Sequence, residues 1–231
     1  MLSTPPRSPR LTLAWGGAGI VVATLLPLAW QAIHVFPPAG RAWLNYAWQP
    51  IGTTASSAVL VAAFAVLAVG IGKESGIAGD LLAGKIALIM FPSAVLAGDL
   101  LNLAPLSPMT YLPASAYDGT GQPDQHLLNI VVWGLEGVVY LGHVALVVAS
   151  VFVIHAGVLR GAARWGLAAL ALANVLADLL WQGLLGTGPE IIPILSWGSV
   201  ALPMIQLAVG VLIVLQARVA TVSPRLGVVT P

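Results

Sequence analysis

Acidic residues inside long apolar segments are the groups in this sequence best placed to do chemistry. Asp99, Glu136 and Asp178 each lie within a stretch that is otherwise almost entirely apolar. An ionisable side chain in hydrocarbon costs roughly 2.5–3.5 kcal/mol on insertion scales, so it is expected to face the protein interior or water. No lysine or arginine lies at a matching position in these stretches. The three acids therefore mark a candidate functional region.

Further polar residues follow the acids at helical spacing. Residues three, four or seven positions apart share one face of a helix. At about 1.5 Å per residue, the acids lie roughly 9–15 Å from the ends of their segments and share one layer. We therefore predict an outward-biased polar cavity. Its candidate substrate- or cation-binding residues are Asp99, Asn102, Glu136, Tyr140, His143, Asn174, Asp178 and Gln182.

Several chemistries fit such a layer. Carboxylate and amide oxygens suit hard cations or a protonated amine, and a carboxyl in low dielectric can bind and release a proton. His143 and Glu136 are weak candidates for metal ligands, since no HExxH motif accompanies them. His143 and His155 lie twelve residues apart and project about 120° apart on a helix, which disfavours haem. The sequence identifies no catalytic residue and no cofactor.

The composition indicates which elements must position these groups. Of the 231 residues, 58% are hydrophobic and 7% are charged, whereas soluble domains carry roughly 25% charged residues. The absence of cysteine excludes disulfides and thiolate chemistry. A net charge of +1 gives no basic field for nucleic acid. We predict an all-α integral membrane protein, a bundle of about six transmembrane helices with the lipid bilayer as its main partner.

Six apolar stretches reach the length of about 20 residues that a bilayer-spanning helix needs. We predict spans at 11–33, 51–71, 81–103, 127–159, 165–186 and 194–216, forming one transmembrane domain over 11–216. An N-terminal tail covers 1–10, an extracytoplasmic loop covers 104–126 and a C-terminal tail covers 217–231. Gln49 and Pro50 are predicted to lie in a connection, because proline disrupts helices. The over-long fourth span predicts a helix that tilts or that emerges from the membrane at one end.

Basic residues predict the orientation of the spans. Of the nine lysines and arginines, only Arg41 falls on one side of the predicted membrane, and the other eight fall on the opposite side. Basic residues favour the cytoplasmic side. We therefore expect both termini in the cytoplasm and the protein in the inner (plasma) membrane.

A short internal similarity links two of the predicted spans. The sequence VLAGDLL at 95–101 resembles VLADLL at 175–180, and each contains one of the acids. Both spans are predicted to run outward, so a duplicated helical hairpin is conceivable.

Three functions are compatible with these features. The first is a small transporter, or the substrate-binding membrane subunit of one, with the acids lining its cavity. The second is a membrane-embedded enzyme that acts on a lipid or small hydrophobic substrate, with or without a metal. The third is a non-catalytic subunit of a membrane complex or a homo-oligomer. The sequence favours the first and leaves enzymatic activity open.

Overall fold

Six helices make up almost all of the described chain. The computed structural model describes residues 10–35, 42–103, 117–118, 122–123, 125–184 and 192–222. The helices are α1 (Arg10–Val35), α2 (Ala42–Val69), α3 (Leu82–Leu103), α4 (Gln125–Ala156), α5 (Gly161–Leu184) and α6 (Ile192–Val222). Two short strands, β1 (Tyr117–Asp118) and β2 (Gln122–Pro123), pair antiparallel between α3 and α4. The predicted count of six helices is confirmed.

All six helices contain a window that is long and apolar enough to cross a membrane. These windows are Arg10–Ala29, Ile51–Val69, Leu82–Leu100, Gly137–Ala156, Gly161–Leu180 and Val200–Val219. They account for the composition, because large apolar side chains such as Leu82, Leu141 and Val219 are exposed on the helix surfaces. An exposed apolar surface of this extent fits a multi-pass membrane protein.

One predicted connection is part of a helix instead. Gln49 and Pro50 lie within α2, which begins at Ala42 and continues to Val69. Proline at this position removes one helical hydrogen bond, a loss that neighbouring groups can compensate in apolar bundles. Pro27, Pro92 and Pro203 likewise lie inside α1, α3 and α6. The expectation that residues 49–50 would lie outside a helix was therefore wrong, because α2 begins at Ala42, before its apolar window starts at Ile51.

The helices pack in chain order and form a closed ring. Each helix lies against the next one, and α6 packs along α1. Glycines bring α1 and α6 close together: a Cβ on Gly17 would lie 2.9 Å from the carbonyl oxygen of Gly210. One apolar core joins all six helices, including the fully buried Ile20, Phe64, Leu88, Leu146, Leu167 and Ile213.

The connections 70–81 and 157–160 close one end of the ring. We call it the basic end, because it carries Arg10, Lys73, Lys85, Arg160 and Arg164. Ile77 and Ala78 of the first connection are completely buried, and Leu159 of the second is 1% exposed. These side chains join the apolar core, so the connections fill this end of the bundle and do not merely link its helices.

The first connection is fixed to two helices. The Ile77 N–H donates to the Leu67 carbonyl oxygen at 2.7 Å, which returns the chain to the end of α2. The Glu74 carboxylate accepts hydrogen bonds from the N–H groups of Leu11 at 3.1 Å and Thr12 at 2.7 Å. The Ile71 N–H donates to the Thr12 hydroxyl at 3.0 Å. Glu74 therefore caps the first turn of α1 from a distant part of the chain.

The second connection is held by a single amide side chain. The Gln216 Nε2 of α6 donates to the Val158 carbonyl oxygen at 3.1 Å, and its Oε1 accepts from the Arg160 N–H at 3.1 Å. Arg164 donates through Nη2 to the Ile154 carbonyl oxygen at 3.0 Å, near the end of α4. Side chains thus satisfy backbone groups that the helix ends leave without partners.

Candidate functional site

Asp99 and Asp178 occupy matching positions in two helices. Asp99 lies 17 residues after Leu82, the first residue of α3, and Asp178 lies 17 residues after Gly161, the first residue of α5. At 1.5 Å per residue, each acid stands about 25 Å along its helix from the basic end. Each also pairs with the preceding helix, which extends the internal similarity seen in the sequence.

His143 of α4 and Asp178 of α5 form one polar pair. The Nδ1 atom of His143 contacts the Asp178 Oδ2. The His143 side chain is 11% exposed and that of Asp178 is 29% exposed, so the pair is largely withdrawn from the surface. The His143 ring also lies 6.4 Å, centroid to centroid, from that of Phe91 of α3. His143 therefore stands at the junction of three helices, with an aromatic ring on one side and a carboxylate on the other.

Asp99 of α3 likewise pairs with the helix that precedes it, α2. Its carboxylate accepts a hydrogen bond from the Ser57 hydroxyl. One turn along α2, the Thr54 hydroxyl lies 3.4 Å from the Asp99 backbone carbonyl oxygen. Ser57 is 6% exposed, which places this contact inside the bundle. Asp99 thus meets oxygen atoms, whereas Asp178 meets an imidazole nitrogen.

The structure brings together only some of the predicted residues. His143 and Asp178 are in contact, and Asp99 contacts neither of them directly. The Asn174 amide donates to the Leu170 carbonyl oxygen of its own helix at 2.8 Å. Tyr140 is 37% exposed and lies among the residues that have an interaction partner of their own. Asn102, Glu136 and Gln182 lie in α3, α4 and α5, and their side chains fall outside the described residues. A common cavity for all eight stays a prediction.

Sequence reasoning missed Ser57 and Thr54 as members of the site. Residues 53, 54, 56 and 57 of α2 are all hydroxyl residues, and this cluster was available as a signal. Hydroxyl groups in apolar helices usually bond to their own backbone, as the Thr24 hydroxyl does to the Ile20 carbonyl oxygen at 2.8 Å. Which hydroxyl faces the acid depends on how α2 is rotated against α3.

The described side chains do not assemble a metal centre. Among them, no three histidines, aspartates or glutamates come together as a metal-binding group. The His143 imidazole and the carboxylate that it contacts together provide two metal ligands, fewer than a metal site needs. Glu136, the other weak metal candidate, lies within α4 but its side chain is outside the described part.

No protein-family model, curated protein or solved structure matches this chain. The function is therefore inferred from the geometry of the polar pairs His143–Asp178 and Asp99–Ser57.

Proposed function

We propose that this protein is a proton-linked transporter of the inner (plasma) membrane, with His143 and Asp178 as its proton-binding centre. Both termini lie in the cytoplasm in this proposal, since eight of nine basic residues fall on the predicted cytoplasmic side. The basic end of the bundle is then the cytoplasmic end. The transported molecule is a small polar or cationic solute.

The contact between His143 Nδ1 and Asp178 Oδ2 is the observation that carries this proposal. Histidine is the side chain that changes charge closest to neutral pH. A protonated His143 imidazole neutralises the charge of the Asp178 carboxylate, and loss of that proton leaves the carboxylate uncompensated inside the bundle. Proton binding therefore switches the local charge between a neutral pair and a net negative site. A negative site of this kind attracts a cationic solute, and protonation releases it.

The packing of the basic end supports access from the opposite side. Below the polar pairs, the bundle is filled by Phe64, Leu88, Leu146 and Leu167, each completely buried, and by the buried Ile77 of the first connection. A proton at His143 thus meets a packed apolar layer in the cytoplasmic direction. Transport in this proposal requires the layer to open, with the 70–81 connection as the moving part.

Proton uptake by purified protein tests the proposal. The full chain in detergent, in weakly buffered solution with an indicator dye, is moved from pH 8 to pH 5, a window of about 1.5 units on either side of the reference histidine value of about 6.5. We expect His143→Gln to bind about one proton fewer per molecule than wild type, because it removes the titrating imidazole, whereas Asp178→Asn keeps the imidazole and should retain most of that uptake. Ser150→Ala is the matched control, because the Ser150 hydroxyl is buried and bonds to the Val147 carbonyl oxygen of its own helix.

Transport is then measured on proteoliposomes. A pH gradient should drive charge movement on a solid-supported membrane when small cations or amines are supplied, and both site variants should abolish it. Unchanged proton uptake in His143→Gln would contradict the proposal and favour a non-catalytic subunit. Turnover of a lipid substrate without any response to the pH gradient would favour the enzyme instead.

A further inference from the structure

The two acids of this bundle have partners of different chemistry. Asp178 has an imidazole that can carry the compensating proton, as described above. Asp99 instead meets the hydroxyl groups of Ser57 and Thr54, and no ion pair joins it to a basic side chain of the described residues. A carboxylate in the interior of an apolar bundle requires compensation of its charge. For Asp99, the described surroundings supply oxygen ligands and no compensating cation.

We propose that Asp99, Ser57 and Thr54 form a binding site for a sodium ion. Four oxygen-bearing groups meet there: the Asp99 carboxylate, the Asp99 backbone carbonyl, the Ser57 hydroxyl and the Thr54 hydroxyl. Hard cations prefer ligands of this type. The proposal rests on the proposed transport function for its role, since sodium at this site would be a second coupling ion beside the proton.

The geometry of α2 and α3 fits a shared ion. Thr54 and Ser57 are three residues apart, so their hydroxyls lie on one face of α2, toward Asp99. The Thr54 hydroxyl stands 3.4 Å from the Asp99 carbonyl oxygen, longer than the usual hydroxyl hydrogen bond. Two oxygens bound at right angles to one ion at about 2.4 Å would be separated by about 3.4 Å. The observed separation of these two oxygens is compatible with joint binding of an ion of this size.

Charge selects a monovalent ion over a divalent one. Asp99 supplies one negative charge, and the other oxygens of the site are neutral. One monovalent cation therefore brings the site to neutrality, whereas a divalent ion would leave an excess positive charge in low dielectric. Magnesium also demands near-ideal octahedral geometry and retains its waters.

Sodium-dependent stability of the purified full chain tests this site. Thermal unfolding is followed by tryptophan fluorescence while sodium chloride replaces choline chloride at constant ionic strength. Mass action predicts a melting temperature that rises with the logarithm of the sodium concentration above the dissociation constant. Potassium and calcium, titrated in the same way, should stabilise the protein less. Equal effects of sodium and choline would overturn the proposal, and so would stabilisation by calcium alone.

Adjacent serines provide a matched pair of variants. Ser57→Ala removes a proposed ligand and should weaken sodium affinity about tenfold or more. Ser56→Ala should leave it unchanged, because the Ser56 hydroxyl bonds to the Ala23 carbonyl oxygen of α1. The two serines are similarly buried, at 8% and 6% exposed. Equal sodium affinity in the two variants would overturn the site.

Equilibrium binding of radiolabelled sodium to wild type needs no variant to fold. We expect saturable binding that excess unlabelled sodium displaces and choline does not, and that Asp99→Asn abolishes. Absence of such binding, together with proton uptake that depends on His143, would overturn the sodium site and leave the proposed proton-linked function intact. Sodium binding without proton uptake at His143 and Asp178 would support the site and contradict that function.

Discussion

The close approach of Gly76 to the end of α2 gives a prediction about the closed, basic end of the bundle. A Cβ added at Gly76 would lie 2.1 Å from the Ala68 carbonyl oxygen and 2.7 Å from that of Leu67. Both neighbours are backbone atoms, so no side-chain rotation can relieve the contact. Gly76→Ala must therefore displace the 70–81 connection from α2.

The size of this displacement sets the expected loss of stability. Even the shortest tolerable Cβ contact, about 3.0 Å, requires a retreat of about 0.9 Å, and the same displacement applied to the 2.7 Å hydrogen bond from the Ile77 N–H to Leu67 lengthens it to about 3.6 Å and breaks it. A lost hydrogen bond in a buried setting costs roughly 1–3 kcal/mol. Partial exposure of the Ile77 side chain adds about 1 kcal/mol. We expect Gly76→Ala to lower the free energy of unfolding by about 2–4 kcal/mol.

Two assays read this change. Chemical denaturation in detergent micelles gives the free energy of unfolding. The decay of a pH gradient in proteoliposomes, followed with an internal dye, gives the passive proton leak, which should rise because the variant loosens the cytoplasmic closure of the proposed pathway. Gly72→Ala is the control in the same connection: its Cβ would meet no atom within 4 Å, although its φ of +63° is unfavourable for alanine. We expect that control to cost about 1–2 kcal/mol and to cause no leak.

The reasoning would be refuted by a Gly76→Ala protein as stable as wild type, since the connection could then move without cost. An equal leak in both glycine variants would show that the 70–81 connection does not close the pathway in the manner proposed.

Two further predictions concern the same end of the bundle. Partial burial favours a raised pKa for Glu74, but the N–H groups of Thr12 and Leu11 hold its pKa below the usual 4.5; its contribution is therefore present above that pH and lost as the pH falls through the lower folded value. Glu74→Gln should lower the free energy of unfolding by about 1 kcal/mol at neutral pH and should make that free energy depend less steeply on pH below 4.5. The same pH dependence in the variant and in wild type would contradict this role of Glu74. Gln216→Leu should lower the free energy of unfolding, measured by chemical denaturation, by roughly 1–3 kcal/mol, because it leaves the Val158 and Arg160 backbone groups without partners. Gln216→Glu keeps only the acceptor for the Arg160 N–H and should lower it by less. Equal losses in the two variants would contradict the role of both hydrogen bonds.

The sequence alone was sufficient for the helices. Apolar windows near the length of a bilayer are rare except in membrane proteins, so composition and hydropathy locate all six without any tertiary information. The same reasoning located Asp99, His143 and Asp178, because an ionisable residue in an apolar helix is conspicuous by its cost. It erred at Gln49 and Pro50, where a local rule about proline was overridden by the continuing helix α2.

Only the tertiary structure decided which polar groups meet. Helical spacing assigns residues to a face, but the face toward a neighbour depends on the rotation and tilt of each helix within the ring. Asp178 therefore meets His143, while Asp99 meets Ser57, a residue that sequence reasoning did not place at the site. The burial of Ile77 likewise depends on the return of its connection to α2, a contact that no periodicity encodes. The sequence predicts the location of the ionisable residues because the free energy of membrane insertion is a property of each residue. It does not predict their partners, because pairing depends on the arrangement of the helices.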